Sequence, residues 1–256
     1  MPAIIDHHAF VQPEDPTTRI WRYMDFAKLV ALLQRAALYF PRLDQLSDPF
    51  EGSISRDEYN RIVAAAEDGE RRGTLPEKWR GRYFDVLMAN ARMMRKSTYV
   101  NCWHFNGYES EAMWRLYAAS GYAVALQSTY TRLVSALPAE LYTGCYVGMV
   151  QYVDHHRETL PEGNAFHAVM HKRTAFKHEQ EVRPVTWMAP REPDPLAVLN
   201  TPTGIHVGVN LPALVEQVYV SPVADDWFAE TVSNVVAKYL PSLATTRSDL
   251  GRSPYR

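Results

Sequence analysis

The side chains able to do chemistry gather in three short segments of this sequence. Asn101-Cys102-Trp103-His104-Phe105-Asn106 leads into Glu109-Ser110-Glu111-Ala112-Met113-Trp114-Arg115-Leu116-Tyr117. An imidazole can give or take a proton near neutral pH, and His104 stands next to indole and phenol rings suited to stacking on a planar group. The second segment, His171-Lys172-Arg173-Thr174-Ala175-Phe176-Lys177-His178-Glu179-Gln180-Glu181-Val182-Arg183, is a basic stretch running into a Glu-x-Glu pair. On an extended chain Glu179, Glu181 and Arg183 share one face. Two carboxylates that close raise each other's pKa unless a cation intervenes, and Arg183 or Lys172 is the expected cation. In the third segment, Asp48-Pro49-Phe50-Glu51-Gly52, Pro49 holds Asp48 extended and sets the angle between the two acids.

Each segment also has a plain structural reading. Met113, Trp114 and Tyr117 suit a core face, and His104 suits a hydrogen-bonded structural role. Glu111 and Arg115, four apart, suit a surface ion pair. The Glu-x-Glu pair suits a solvated sheet edge, and Asp48 to Gly52 an ordinary turn.

The elements that must position these groups follow from periodicity and punctuation. Ile20 to Met24 reads as a first strand. Asp25 reads as the N-cap of a helix over Phe26-Ala27-Lys28-Leu29-Val30-Ala31-Leu32-Leu33. Leu38-Tyr39-Phe40 is a short strand ended by Pro41, and Leu43 to Gly52 a loop. Arg56 to Lys96 is helical with a break near Gly69–Pro76. Thr98 to Trp103 is a strand on which Trp103 and His104 alternate, and Glu109 to Ala119 is a helix with Gly121 at its C′ position. Strands are expected at Tyr122–Leu126, Gly144–Tyr152, Val182–Trp187, Gly204–Val209 and Gln217–Val220, and helices from about Tyr130 to Leu137 and over Ala224–Tyr239. Strands so interleaved, without a regular βαβ rhythm, predict an α+β fold: a mixed, mainly antiparallel sheet with flanking helices. One domain over 19–250 is expected, after a loosely packed lead-in (1–18) and before a tail (251–256).

Bulk properties narrow the function classes. The chain has 256 residues, 46% hydrophobic and 22% charged, which is ordinary for a folded domain. A formal net charge of −2 gives no global pull toward nucleic acid or anionic lipid. Two cysteines are too few for a disulfide framework. Met1 to Gln12 is not a secretory signal, and no apolar run is long enough to span a bilayer. A cytoplasmic location and no membrane partner are therefore expected. The pairs His7-His8 and His155-His156 lack metal-ligand spacing, so no dedicated metal site is expected. No Walker loop, G-x-G-x-x-G or G-x-S-x-G occurs. Between Arg71 and Lys96 eight basic residues face two acids, which reads as a solvated face or a phosphate-touching one.

Seven landmarks together resemble a bacterial domain family of unknown function, numbered 2971. They are Trp21-Arg22-Tyr23, Leu38-Tyr39-Phe40, Asp48-Pro49-Phe50-Glu51, Cys102-Trp103-His104, Glu111-Ala112-Met113-Trp114-x-x-Tyr117, Phe176-x-x-Glu179-x-Glu181-Val182-Arg183 and Val218-Tyr219-Val220-Ser221-Pro222. They follow that family's order along nearly the whole chain.

A second, shorter pattern resembles ADP-ribosyltransferases of the arginine–serine–glutamate type. Arg22 stands on the first strand, Ser128-Thr129 at the end of a middle one, and Glu179-Gln180-Glu181 at the start of a later one. Tyr130 departs from the serine that closes the middle motif. The resemblance implies NAD, with Arg22 gripping its pyrophosphate bidentately. It implies that Ser128, beside Thr129, braces the nicotinamide ribose and Glu181. Glu181 would hold the ribose 2′-hydroxyl and stabilise oxocarbenium charge, and Glu179 would orient or deprotonate the acceptor. Trp103, Trp114 or Tyr117 would stack on nicotinamide with His104 alongside. Asp48, Glu51, Glu111, Lys172, Arg173 and Arg183 would support the site.

Two other readings stay open. Asp48, Glu51, Glu179 and Glu181 suit a Mg²⁺- or Mn²⁺-dependent hydrolase or nuclease, provided that they meet in space. Alternatively, the Trp, Tyr and Arg side chains form a non-catalytic recognition pocket for a nucleotide-like ligand or a partner. Whether an acceptor is nucleic acid or protein is left open.

Overall fold

A computed structural model describes residues 2–117, 121–154, 158–161, 164–188 and 201–252. Its first half comprises β1 (Arg19–Asp25), α1 (Phe26–Arg35), β2 (Ala37–Pro41), α2 (Arg56–Arg72), α3 (Tyr83–Ser97), β3 (Thr98–Val100), β4 (Trp103–Phe105), α4 (Glu111–Tyr117), β5 (Ala123–Thr129) and α5 (Tyr130–Ala136). Then come β6 (Cys145–Met149), β7 (Gln151–Val153), α6 (Phe166–Met170), β8 (His171–Arg173), β9 (Glu181–Trp187), β10 (Gly204–Gly208), α7 (Leu211–Leu214), β11 (Gln217–Val220), α8 (Asp226–Tyr239) and β12 (Thr245–Arg247).

The main sheet runs β12-β11-β5-β1-β4-β9-β3, with β6 also on β9. Its pairs are antiparallel except β11 with β12. The fold is thus the α+β domain, with a mixed, mainly antiparallel sheet and flanking helices, that the strand spacing predicts. Alternation along β1 assigns the two faces. Ile20 and Met24 join Val124, Leu126, Val218, Leu29, Leu133 and Val232 in the largest core cluster, so α1, α5 and α8 cover that face. Trp21 and Tyr23 point the other way and pack with Met113, Trp114, Ala123 and Ala125, so α4 covers it there.

One topological detail makes room for a site. β1 pairs with β5 over all seven of its residues, from Arg19 to Asp25, but with β4 only at Ile20–Phe105 and Trp21–His104. Beyond Trp21 the two neighbours part, and the sheet opens beside Arg22. The expected strand over Thr98–Trp103 is accordingly two short strands broken at Asn101-Cys102, where Asn101 N–H donates to the Pro184 carbonyl and the Asn101 amide to that of Tyr39.

α1 starts where expected. Asp25 is extended and accepts from Lys28 N–H at 2.8 Å. The helix ends on Ala36, a left-handed non-glycine residue. α4 begins at Glu111 rather than Glu109, and Gly121 has the expected positive φ. The lead-in is not loosely packed. Ala3, Ala9 and Phe10 are buried, and the backbone bridges to Tyr146 and Met149 of β6. Gly148 permits this contact, because a Cβ there would sit 2.8 Å from Phe10 Cα. Both cysteines are free. No helix among the described residues is long and apolar enough to cross a membrane. The pair His155-His156 lies outside the described residues.

Candidate functional site

Where β1 and β4 separate, a cavity of about 770 Å³ opens. Arg22 and Trp21 reach it from β1; Cys102 from the strand break and Trp103 and His104 from β4; Met113 and Tyr117 from α4; Glu181 from the start of β9; and Glu179 from the turn before it. The volume lies in the range of small-molecule sites. Met113 and Tyr117, four apart on α4, do share the face that meets it.

The Glu-x-Glu pair is positioned by an unexpected turn. Glu179 ends a 3₁₀ segment, Thr174–Glu179, and Gln180 is left-handed with φ 40°, so only Glu181 belongs to the strand. The two glutamates therefore do not share a strand face. β4 clamps the turn. Phe105 N–H donates to the Gln180 carbonyl, and His104 Nδ1 lies 2.6 Å from the Glu179 carbonyl oxygen. On its other side Glu181 N–H donates to the Tyr152 hydroxyl at 2.9 Å.

Behind the cavity lies a buried ionic network. Arg183 is fully buried and forks onto Glu181, Nε to Oε1 at 2.6 Å and Nη2 to Oε2 at 2.8 Å. The same Nη2 lies 2.6 Å from Glu51 Oε2, and Nη1 donates to the Val169 carbonyl. Lys172 Nζ sits among three carboxylates, 2.9 Å from Glu51, 2.5 Å from Glu179 and 3.6 Å from Glu181. Both expected cations are present. Burial alone would push Glu181 up, but Arg183 and then Lys172 hold it below the ordinary carboxylate range, helped by the Cys102 thiol. Glu179 is the opposite case. Burial outweighs Lys172 and raises its pKa.

Two groups facing the cavity keep unused hydrogen-bonding capacity. Arg22 makes one hydrogen bond among the described residues, Nη1 to the Cys102 carbonyl at 2.8 Å. Its guanidinium lies over the Trp103 ring, 6.0 Å from the centroid. His104 is 3% exposed, and burial lowers its pKa, so it is neutral at pH 7. A carbonyl only accepts, so Nδ1 carries the hydrogen and Nε2 is left with a bare lone pair. That nitrogen is buried without a partner.

Other residues expected at the site stand elsewhere. Ser128 is fully buried opposite Ile20, on the helix-covered face, and its Oγ donates to the Leu214 carbonyl at 2.5 Å. Thr129 N-caps α5. Neither lines the cavity, so neither braces a ligand there. Trp114 lies beneath the site, packed edge-on against Tyr23 with its indole N–H on Glu109. Glu111 makes the surface pair with Arg115. Asp48 accepts both arms of Arg173, at 3.1 and 2.8 Å, which pins the loop rather than the cavity. Of the turn acids only Glu51 meets the Glu-x-Glu pair, and they converge on Lys172 and Arg183.

Several lining residues were not anticipated. Lys28, Ala31, Leu32 and Arg35 present one side of α1 to the cavity, and Tyr39 and His206 close it from β2 and β10. The spacing i, i+3, i+4, i+7 on α1 was the available signal. Fold and site together define an α+β domain with a cationic, aromatic cleft at a split in its sheet. No protein-family model, curated protein or solved structure matches this chain.

Proposed function

We propose that the cleft binds a nucleotide-like anion and breaks an N-glycosidic bond in it, with NAD as substrate and nicotinamide as leaving group. The carrying observation is that Arg22, with guanidinium donors to spare, faces the same cavity as the carboxylates of Glu179 and Glu181, and that Trp103 and Tyr117 also line it. A guanidinium so placed takes phosphate oxygens bidentately, and a ring seated between aromatic walls is held by stacking. In hydrolysis the bond from ribose C1′ to the pyridinium nitrogen breaks, and its electron pair neutralises that nitrogen. Water adds to C1′ and loses a proton to Glu179. Transfer to another nucleophile follows the same course.

This differs from the Arg–Ser–Glu template in two respects. Ser128 takes no part, and Glu181, with both oxygens engaged by Arg183, is not free to hold the ribose 2′-hydroxyl and acts only as a fixed charge. That same fork favours the second reading, a binding module without turnover. The divalent-cation reading asks Asp48, Glu51, Glu179 and Glu181 to converge on an ion; the three glutamates converge on the Lys172 ammonium, and Asp48 is paired with Arg173.

Nicotinamide release from NAD, with calorimetric titration of ADP-ribose, tests the proposal. The expected result is release by the native chain, lost in Glu179→Gln, and an ADP-ribose affinity weakened roughly tenfold to a hundredfold in Arg22→Met. Binding without release makes the chain a binding module, and neither binding nor release removes the reading.

A further inference from the structure

A second cavity, of about 330 Å³, lies between α3 and the segment around α6, and no role proposed above uses it. Its walls are largely apolar, with Leu43, Met94, Leu160 and Val169 among them. Among the polar groups in that lining, two hold buried atoms without a hydrogen-bond partner. His167 is 8% exposed, and its Nδ1 is buried without a hydrogen-bond partner. Arg95 Nε is also buried and unpartnered, and Arg95 makes no ion pair among the described residues. Asp44 acts on Arg95 at a distance, but gives both of its oxygens to Arg42, at 2.6 and 3.1 Å.

A buried N–H such as Arg95 Nε, left without an acceptor against an apolar wall, is costly unless something completes it. The stem of Arg95 is built in: it passes over Gly52, whose φ is +67°, and a Cβ there would stand 3.3 Å from Arg95 Cγ. The base of the side chain is thus fixed beside the cavity.

We infer that this cavity is a second ligand site, for a small amphipathic carboxylate whose head group pairs with Arg95 and His167 and whose aliphatic or aromatic body fills the apolar end. A carboxylate matches one guanidinium edge bidentately. A phosphate dianion asks for more donors than one arginine and one imidazole supply, and it leaves the apolar wall empty. Of the other polar groups on the wall, Ser55 Oγ caps α2, Asn164 bonds Phe166 N–H and His7, and Arg61 pairs with Glu58. Arg95 and His167 Nδ1 are the groups still to be satisfied. The inference does not rest on NAD chemistry, since none of these residues lines the first cleft.

Calorimetric titration of the full chain with octanoate, benzoate and inorganic phosphate decides the matter. Expected is saturable one-to-one binding of octanoate or benzoate with none of phosphate. Affinity should fall roughly tenfold or more in Arg95→Gln and stay unchanged in Arg22→Met. Met94→Trp, which fills the apolar end and keeps Arg95, should block binding while leaving the circular dichroism spectrum native. The inference is overturned if neither carboxylate binds, if phosphate binds in their place, or if a folded Met94→Trp chain binds as the native one does.

Discussion

Replacing Arg183 by methionine isolates the buried network. The side chain is of similar length and apolar, so packing is largely kept while one cation is lost. Glu181 then loses two contacts, at 2.6 and 2.8 Å, and Glu51 loses one of 2.6 Å. Lys172, 3.6 Å from Glu181, is left to serve three carboxylates. Removing one member of a buried ion pair leaves uncompensated charge and costs about 3–5 kcal/mol. That is a large part of the roughly 5–15 kcal/mol that stabilises a whole domain. Urea titrations of the native and variant chains measure the difference. Its pH dependence identifies the cause. In the native chain Glu181 is held below its ordinary pKa. Its contribution is therefore present above the ordinary carboxylate range and is lost as pH falls through the depressed value. In Arg183→Met burial is less opposed, so the Glu181 pKa rises and the folded variant takes up a proton at higher pH. The deficit should narrow between about pH 7.5 and pH 5, approaching the ordinary carboxylate range. A deficit below about 1 kcal/mol, or one that stays constant across that window, would refute the ionic account.

Two further outcomes follow from the placement of smaller groups. Ser128→Ala leaves the buried Leu214 carbonyl without its donor and should cost about 1–3 kcal/mol in urea denaturation, with ADP-ribose affinity unchanged; weaker ligand binding would return Ser128 to the site. Gly148→Ala drives a methyl into the Phe10 backbone and should cost about 1–3 kcal/mol and expose residues 2–12 to limited proteolysis, whereas native protection would show that the lead-in does not depend on that contact.

The sequence carried the helix starts better than it carried faces. Asp25 announces α1 because an N-cap is a local event, settled within four residues. Ser128 shows the contrary case. Its place in chain order matched a middle-strand motif, yet it pairs with Ile20, away from the split beside Arg22, and its hydroxyl is spent on the Leu214 carbonyl; chain order does not encode register. Gln180 misled for a related reason. Glu-x-Glu before a strand reads as two residues on one face, but a left-handed residue between them turns Glu179 back toward Lys172. Phe10 sits among proline, aspartate and histidine, a composition that reads as loop; only the approach allowed by Gly148, far along the chain, buries it. The cleft itself was half legible. The β1 arginine, the Trp103-His104 pair, the α4 face and the Glu-x-Glu pair do meet, while the split between β1 and β4 that holds them together is a property of pairing.

The turn at Gln180 also explains why two glutamates two positions apart in the chain differ in proton affinity. Glu181 enters β9 beside Arg183 and the Cys102 thiol, so its charge is matched and its pKa depressed. Glu179, turned out of the strand, keeps Lys172 as its ion-pair partner, and burial prevails. Environments that drive neighbouring carboxyls apart in this way separate a fixed charge from a group able to exchange a proton. The Glu179 backbone does a second task, because its carbonyl fixes the hydrogen of His104 on Nδ1 and leaves Nε2 bare. A substitution that alters only the 179 side chain thus removes the exchangeable carboxyl and leaves the imidazole tautomer in place. Loss of turnover in Glu179→Gln can then be assigned to the carboxyl, and not to a displaced histidine.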